Sequence, residues 1–243
     1  MKLIFLGTGS AFAKTLYNNN LLVEFAGTNL LIDCGNKAPI AMHELGLTTA
    51  EIDNIFITHL HADHIGGLEE VALTTKYLYR KRINLYVKEE MVNELWNHSL
   101  KGGLQYTGEI SQPQVALDYY FNVFPISGES FKIKNTTFHL FPTRHVQGMK
   151  SFGLFFNKVF FSGDSQFDEE LINEFIDRSN LFFYDSDFMK NPVHTYYRDM
   201  MKIPKEKRYK VFLMHYSDIY KQYENEVEAA GLKLVKQHQI INV

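Results

Sequence analysis

Four side chains able to bind a metal ion lie close together in the segment Thr58-His59-Leu60-His61-Ala62-Asp63-His64-Ile65-Gly66-Gly67. The segment follows an apolar run that ends at Ile57 and precedes a helix-like pattern that begins at Leu68. Neutral imidazole nitrogens and carboxylate oxygens are ligands that zinc, iron and manganese accept in proteins. A surface loop that happens to be rich in histidine is the alternative interpretation. Three histidines and an aspartate at a strand-to-helix turn favour metal binding.

Further side chains of the same chemistry occur later in the chain, each shortly after an apolar run. They are His145 after Phe138 to Phe141, Asp164 after Val159 to Phe161, and His215 after Val211 to Met214. Because four ligands from one loop cannot all face one ion comfortably, we expect these later residues to complete the ligand set. Two cations ~3.5–4 Å apart that share a water lower its pKa towards ~7, which supplies hydroxide at neutral pH. The pattern therefore predicts a hydrolase with two divalent metal ions, for which zinc is expected and manganese or iron is chemically equivalent.

The elements that must position these residues are short strands with helices between them. Helical segments are predicted at 40–45, over 68–79, and from near Phe167 and Ser217, whereas 96–123 reads as an irregular segment that covers a site or a partner. This mixture indicates a layered α/β (α+β) architecture. Strands are predicted at 3–6, 21–25, 29–32, 55–57, 84–87, 121–126, 131–133, 137–141, 153–156 and 159–161.

Composition narrows the class of protein. The 243 residues are 45% hydrophobic, enough for one domain spanning residues 1–243. The formal charge of −3, from 25 basic and 28 acidic residues, argues against a dedicated polyanion binder. Cys34 is the only cysteine, which excludes an intrachain disulfide and fits a cytoplasmic location. Since no apolar stretch approaches ~18 residues, no membrane span is expected.

The segment from Thr58 to Gly67 resembles the metal-binding loop of the metallo-β-lactamase superfamily, and the later ligands follow in the superfamily's order. The resemblance implies an αββα sandwich. It also implies a division of the ligands between two ions. The first ion would be held by His59, His61 and His145, the second by Asp63, His64 and His215, and Asp164 would bridge them.

The opening Phe5-Leu6-Gly7-Thr8-Gly9-Ser10 resembles the ribonuclease Z branch of that superfamily. Its glycines either bring backbone amides close to a phosphate or form a simple turn at a strand end. The chain also resembles, more closely, the anti-Pycsar cyclic-nucleotide phosphodiesterases in its length and compact ligand pattern. That resemblance implies hydrolysis of 3′,5′-cyclic mononucleotides, including cyclic CMP and cyclic UMP, to linear monophosphates by a metal-bridging hydroxide. It further implies a homodimer in which a partner segment helps to close each pocket and, in a phage, evasion of bacterial defence.

Three other functions stay open at this point. One is a ribonuclease Z-like nuclease that processes RNA 3′ ends, or another phosphodiesterase of the same branch. The sequence shows no counterpart of the basic, glycine-rich arm of ribonuclease Z enzymes, so no stable long nucleic-acid partner is expected. Another is a carbonyl hydrolase such as a lactonase. The third is a cyclic-nucleotide sponge without catalysis.

Proton transfer to the leaving ribose oxygen requires a general acid. His194 resembles a non-ligand histidine of ribonuclease Z relatives and is the candidate, although a histidine satisfied at a helix start is the alternative. Asp63 is expected to share this role while it contacts metal. Asp33, which ends the run Leu30 to Ile32, is either a partner that orients a ligand histidine or a structural turn acceptor.

Overall fold

The computed structural model of the chain describes residues 1–107 and 109–243, and Gly108, within the segment predicted to be irregular, lies outside the described residues. The chain forms two compact units and crosses between them four times. The first unit comprises residues 1–7, 20–127 and 238–243, and the second comprises residues 8–19 and 128–237. Within the described ranges each unit contains one seven-stranded sheet.

The strands of both sheets are short. They are β1 (Lys2–Gly7), β2 (Asn20–Phe25), β3 (Thr28–Ile32), β4 (Asn54–Phe56), β5 (Ile83–Lys88), β6 (Phe121–Ile126), β7 (Ser130–Ile133), β8 (Thr136–Pro142), β9 (Phe152–Phe156), β10 (Val159–Phe161), β11 (Leu181–Asp185), β12 (Val211–Met214), β13 (Lys233–Leu234) and β14 (Ile240–Asn242).

The α-helices are equally short and lie between these strands. They are α1 (Ala38–Glu44), α2 (Ala62–Ile65), α3 (Leu68–Leu73), α4 (Glu89–Leu95), α5 (Lys101–Leu104), α6 (Leu117–Tyr120), α7 (Glu169–Phe175) and α8 (Glu224–Ala229). Thr74–Leu78 and Trp96–Leu100 are π-helical, and Thr49–Glu51, Tyr197–Lys202, Lys205–Lys210 and Asp218–Gln222 form 3₁₀ turns. Among the residues that the structure describes, no helix has the length and apolar character to cross a membrane.

The sheet of the first unit has the order β14-β1-β2-β3-β4-β5-β6. Strands β3 to β6 run parallel, with Leu31 opposite Ile55 and Ile55 opposite Leu85. Alternation in β5 places Ile83, Leu85 and Val87 in the core. Since the carboxyl ends of parallel strands meet at one edge, the residues after β3 and β4 are brought together there.

The sheet of the second unit has the order β13-β12-β11-β10-β9-β8-β7. Strands β10, β11 and β12 are parallel, and β8 runs in their direction because both β8 and β10 are antiparallel to β9. Aromatic side chains fill its core, where the rings of Phe160 and Phe182 stack with centroids 4.1 Å apart. The ends of β8, β10, β11 and β12 therefore share one edge.

All ten predicted strands are confirmed to within one residue at each end. Strands β11, β13 and β14 are additions, because the prediction did not include these segments. The prediction of an irregular segment over 96–123 is wrong at both ends. Trp96–Leu104 is helical and buries Leu100 and Leu104, and helix α6 leads directly into β6. Gly103 serves packing, since a Cβ on it would lie 2.2 Å from a Glu69 carboxylate oxygen.

Candidate metal centre

The histidine-rich segment of the first unit leaves strand β4 and turns into the single-turn helix α2. Nε2 of His59 lies 3.0 Å from Nδ1 of His61, and Nε2 of His64 lies 3.2 Å from Oδ2 of Asp63. The side chains of His59, Asp63 and His64 are buried. The structure thus brings the four predicted ligands of this segment together as two close pairs of metal-binding atoms.

Asp33, immediately after β3, orients two of these histidines. Its Oδ2 accepts a hydrogen bond from Nδ1 of His64 at 2.7 Å and another from Oγ1 of Thr58 at 2.8 Å. Thr58 Oγ1 in turn accepts from Nδ1 of His59 at 3.1 Å. Both imidazoles therefore carry the proton on Nδ1 and offer the lone pair of Nε2 to a metal. Burial raises the pKa of Asp33, and the charge of His64 opposes that rise.

Two glycines allow the chain to turn tightly after the histidines. Gly66 and Gly67 have φ of −64° and −85°, values open to any residue. The requirement is space, because a Cβ on Gly67 would lie 2.4 Å from the carbonyl oxygen of Gly35. The glycines thus permit close packing of this segment on the residues that follow β3.

The predicted ligands of the second unit lie at the shared strand edge of its sheet. Oδ2 of Asp164, after β10, is 3.7 Å from Nε2 of His145 and 3.4 Å from Nε2 of His215. Nδ1 of His145 donates to the carbonyl oxygen of Val193 at 2.9 Å, which again leaves Nε2 to face a metal. All three side chains are buried.

The donor atoms of both units have the spacing that metal coordination requires. Two ligand atoms that each lie ~2.1 Å from one ion in tetrahedral geometry are ~3.4 Å apart. The pairs described above are separated by 3.0 to 3.7 Å. Their chemistry, imidazole nitrogen with carboxylate oxygen, is also that of zinc, iron or manganese sites. The residues present therefore fit a divalent metal.

The residues predicted from the sequence did not include Asp185, which lies at the end of β11. Its Oδ2 accepts from Nδ1 of His194 at 2.7 Å and from the backbone N–H of Ser165 at 2.8 Å, while Oδ1 lies 3.4 Å from Nδ1 of His215. Asp164, Asp185, His194 and His215 can each place one ligand atom within 4.8 Å of the others. The signal that identified Asp164, a carboxylate after an apolar run, also marks Asp185 after Leu181 to Tyr184.

His194 lies beside the ligands of the second unit. Its Nδ1 is 3.9 Å from Oδ2 of Asp164, and its side chain is 17% exposed. Burial lowers the pKa of His194, but the charge of Asp185 and its hydrogen bond outweigh this effect, so that the net shift is upward. With Nδ1 held by Asp185, Nε2 is the nitrogen able to exchange a proton.

The turn at Gly7 to Ser10 behaves as a strand-ending turn. The N–H of Gly9 donates to Tyr17 O at 2.7 Å and that of Ser10 donates to Tyr216 O at 3.1 Å. A Cβ on Gly9 would lie 2.7 Å from the Cβ of Leu16. These amides are therefore engaged within the second unit, and the glycine serves close packing.

Comparison with solved structures defines the class of protein. The metallo-β-lactamase fold protein YhfI from Bacillus subtilis is 14% identical, with a TM-score of 0.78 over 99% of this chain and 98% of that chain. A diphosphatase from the PhnP family is 17% identical, with a TM-score of 0.76 over 100% and 97% of the two chains. The chain therefore has the metallo-β-lactamase fold, as its sequence predicts, with side chains able to bind a metal at the strand ends of both sheets.

Within this fold class the chain belongs to the Anti-Pycsar protein Apyc1 family, whose model matches residues 1–241. The Anti-Pycsar protein Apyc1 of Bacillus phage 010DV004 is 44% identical over 232 residues, 90% of each chain. The protein of the same name from Paenibacillus harenae is 36% identical over 229 residues, 92% of this chain and 93% of the relative. The resemblance predicted from the sequence is thus confirmed.

Proposed function

We propose that this chain is a metal-dependent phosphodiesterase that hydrolyses 3′,5′-cyclic mononucleotides, including cyclic CMP and cyclic UMP, to linear nucleoside monophosphates. The observation that carries this proposal is the donor arrangement. In each unit, imidazole and carboxylate atoms lie 3.0 to 3.7 Å apart at the carboxyl ends of strands. Membership of a family named for action against Pycsar supports a cyclic nucleotide as the substrate.

We propose that residues 1–243 act as one domain and that this domain holds two divalent ions. The assignment is His59, His61 and His145 for the first ion, Asp63, His64 and His215 for the second, and Asp164 as the bridge. Zinc is the expected metal, with manganese or iron as chemical equivalents. When bound, such ions supply Lewis acidity towards a phosphoryl oxygen and lower the pKa of a water. Elemental analysis of the purified protein measures identity and stoichiometry.

The protein's own side chains orient the ligands and move protons. Asp33 holds the Nδ1 protons of His64 directly and of His59 through Thr58, so that both Nε2 atoms are presented for coordination. Preorganised polar groups of this kind need little rearrangement during the reaction. The site can therefore bind metal without first selecting a tautomer.

His194 is proposed as the general acid. Hydrolysis adds water across one phosphorus–oxygen bond, so the water oxygen joins phosphorus and the departing ribose oxygen gains a proton. Asp185 fixes Nδ1 of His194 at 2.7 Å, which leaves Nε2–H to donate that proton. Asp63, 3.2 Å from His64, is proposed to share in proton transfer while it contacts metal.

Product analysis tests this function. Purified metal-loaded protein is incubated with cyclic CMP, UMP, AMP and GMP, and with a linear phosphodiester and a precursor transfer RNA as controls. Linear monophosphates are expected from the cyclic compounds. If all four cyclic nucleotides survive while the precursor is cut, a ribonuclease Z-like activity replaces the proposal. If they are bound and recovered intact with both metals present, the protein is a sponge.

The biological setting follows from the same proposal. The enzyme would act in the bacterial cytoplasm, where it removes the cyclic nucleotide signal of Pycsar defence, and no stable long nucleic-acid partner is required. We further propose a homodimer, in which a segment of the partner helps to close each pocket. Light scattering coupled to gel filtration measures the dimer, and a monomeric active enzyme would contradict it.

A further inference from the structure

One phenylalanine of the second unit is far more exposed than its neighbours. The side chain of Phe12 is 87% exposed, whereas Ala13 and Leu16 of the same loop are 3% and 7% exposed and belong to the aromatic core. Exposed Ala11, Lys14 and Thr15 surround it in the sequence. Within its own loop, Phe12 is therefore the one exposed aromatic ring among exposed small and polar residues.

The loop that carries Phe12 is held firmly. Asp218 accepts hydrogen bonds from the backbone N–H groups of Lys14 and Thr15 at 2.7 and 3.1 Å, and from Oγ1 of Thr15 at 2.6 Å. The N–H of Tyr17 donates to Oε1 of Gln237 at 2.7 Å. A ring carried by such a loop loses little conformational freedom when it meets a ligand.

The same loop is joined to the residue next to a proposed metal ligand. The N–H of Tyr216 donates to Thr8 O, and the N–H of Ser10 donates to Tyr216 O, both at 3.1 Å. Tyr216 directly follows His215. Phe12 is two residues beyond Ser10, a span of at most ~7 Å. The backbone of Phe12 consequently lies close to the metal-ligand edge of the second unit.

We propose that Phe12 stacks against the nucleobase of the cyclic nucleotide, an inference that rests on the proposed function. A nucleotide whose phosphate is held at the metal ligands carries its base one ribose away from them. Every nucleobase presents a flat π face, so one phenyl ring can bind purines and pyrimidines alike. One phenyl ring can stack on one base. Phe12 therefore contributes to substrate binding, while the chemical step stays with the metal ligands.

Three variants and two kinds of substrate test this role. Phe12→Ala removes the ring, and Phe12→Trp keeps an aromatic face. Tyr209→Ala is the matched control, because Tyr209 is an aromatic residue that is 64% exposed in the same unit. Tyr209 lies before β12 and His215 lies after it, so the length of the strand, ~13 Å, separates the two residues. The substrates are cyclic AMP and cyclic CMP, compared with an abasic ribose 3′,5′-cyclic phosphate.

Phe12→Ala is expected to raise KM for cyclic AMP and cyclic CMP about tenfold with kcat nearly unchanged. KM for the abasic compound should stay at the wild-type value, and Phe12→Trp should retain tight binding. Titration with cyclic nucleotide should also quench the fluorescence of the new tryptophan in Phe12→Trp, a readout that does not depend on turnover.

Equal KM values for Phe12→Ala and Tyr209→Ala, with wild-type enzyme active, would overturn the stacking role and leave the proposed function intact. A loss of affinity that extends to the abasic compound, or a change in oligomeric mass of Phe12→Ala, would also overturn it. If wild-type protein hydrolyses none of the substrates, the proposed function fails and the stacking role fails with it.

Discussion

Asp33 accepts a hydrogen bond from His64 across 2.7 Å, although 31 residues separate them in the chain. Its backbone has φ of +61°, a left-handed conformation that few residues other than glycine, asparagine and aspartate adopt readily. A ligand histidine of the first unit thus depends on a carboxylate held in a restricted backbone conformation. Such partners outside the coordination sphere fix tautomer and ring orientation.

Substitution of Asp33 should weaken metal binding. Asp33→Ala removes the acceptor of His64 and of Thr58, so we expect ~10- to 100-fold lower metal affinity. Asp33→Asn keeps one acceptor oxygen and tolerates positive φ, so the loss of metal affinity in this variant should be smaller. Competition with a chelator measures affinity, and circular dichroism controls for folding. Wild-type affinity in folded Asp33→Ala would show that this contact does not orient a ligand.

Asp185 should set the pH range of catalysis. Burial lowers the pKa of His194 and Asp185 raises it by more, so the acid stays protonated to higher pH in the wild type. Asp185→Asn removes that charge, and the alkaline limb of the kcat/KM profile should move to lower pH. At pH values well below this limb, the activity of Asp185→Asn should change less. His194→Gln should abolish the alkaline limb. An unshifted pH profile in Asp185→Asn would show that Asp185 does not control the protonation of His194.

A side chain added at a tightly packed glycine of the histidine-rich segment should destabilise the protein. Gly67→Ala places a Cβ 2.4 Å from the Gly35 carbonyl oxygen, so about 2–4 kcal/mol of stability should be lost. The control is Gly102→Ala in α5, where a Cβ meets nothing within 4 Å. There, a gain of up to ~1 kcal/mol is expected from helix propensity. Urea unfolding measures both, and equal stability of the two variants would refute the packing explanation.

Asp164 should be indispensable to the metal site. Its Oδ2 lies within 3.7 Å of His145 and 3.4 Å of His215, so Asp164→Ala should abolish turnover and reduce the bound metal. Product analysis and elemental analysis on folded variant protein measure these effects. Asp199→Ala, which removes an exposed surface ion pair with Lys202, is the control and should keep wild-type activity. Full turnover without Asp164 would refute its role as a bridge.

Local patterns account for most of what the sequence predicted. Apolar runs that end in a ligand-type residue marked β4, β8, β10 and β12 and, with them, His59, His145, Asp164 and His215. Asp185 carries the same pattern and was overlooked. Gly102 and Gly103 made the helical segment 96–104 look like a loop, because a glycine inside a helix, such as Gly103 packed against Glu69, has the same appearance in a sequence as a glycine in a loop.

The sequence by itself determined the donor types, their order and their positions at strand ends, because the transition from apolar run to polar ligand is local. Tertiary structure alone decided the partners of each donor. Asp33 meets His64 and Asp185 meets His215 because parallel strands bring their carboxyl ends to one edge, and the connection after β11 folds back to bring His194 to Asp185. Contacts across such separations depend on sheet order and strand direction, which no local pattern specifies.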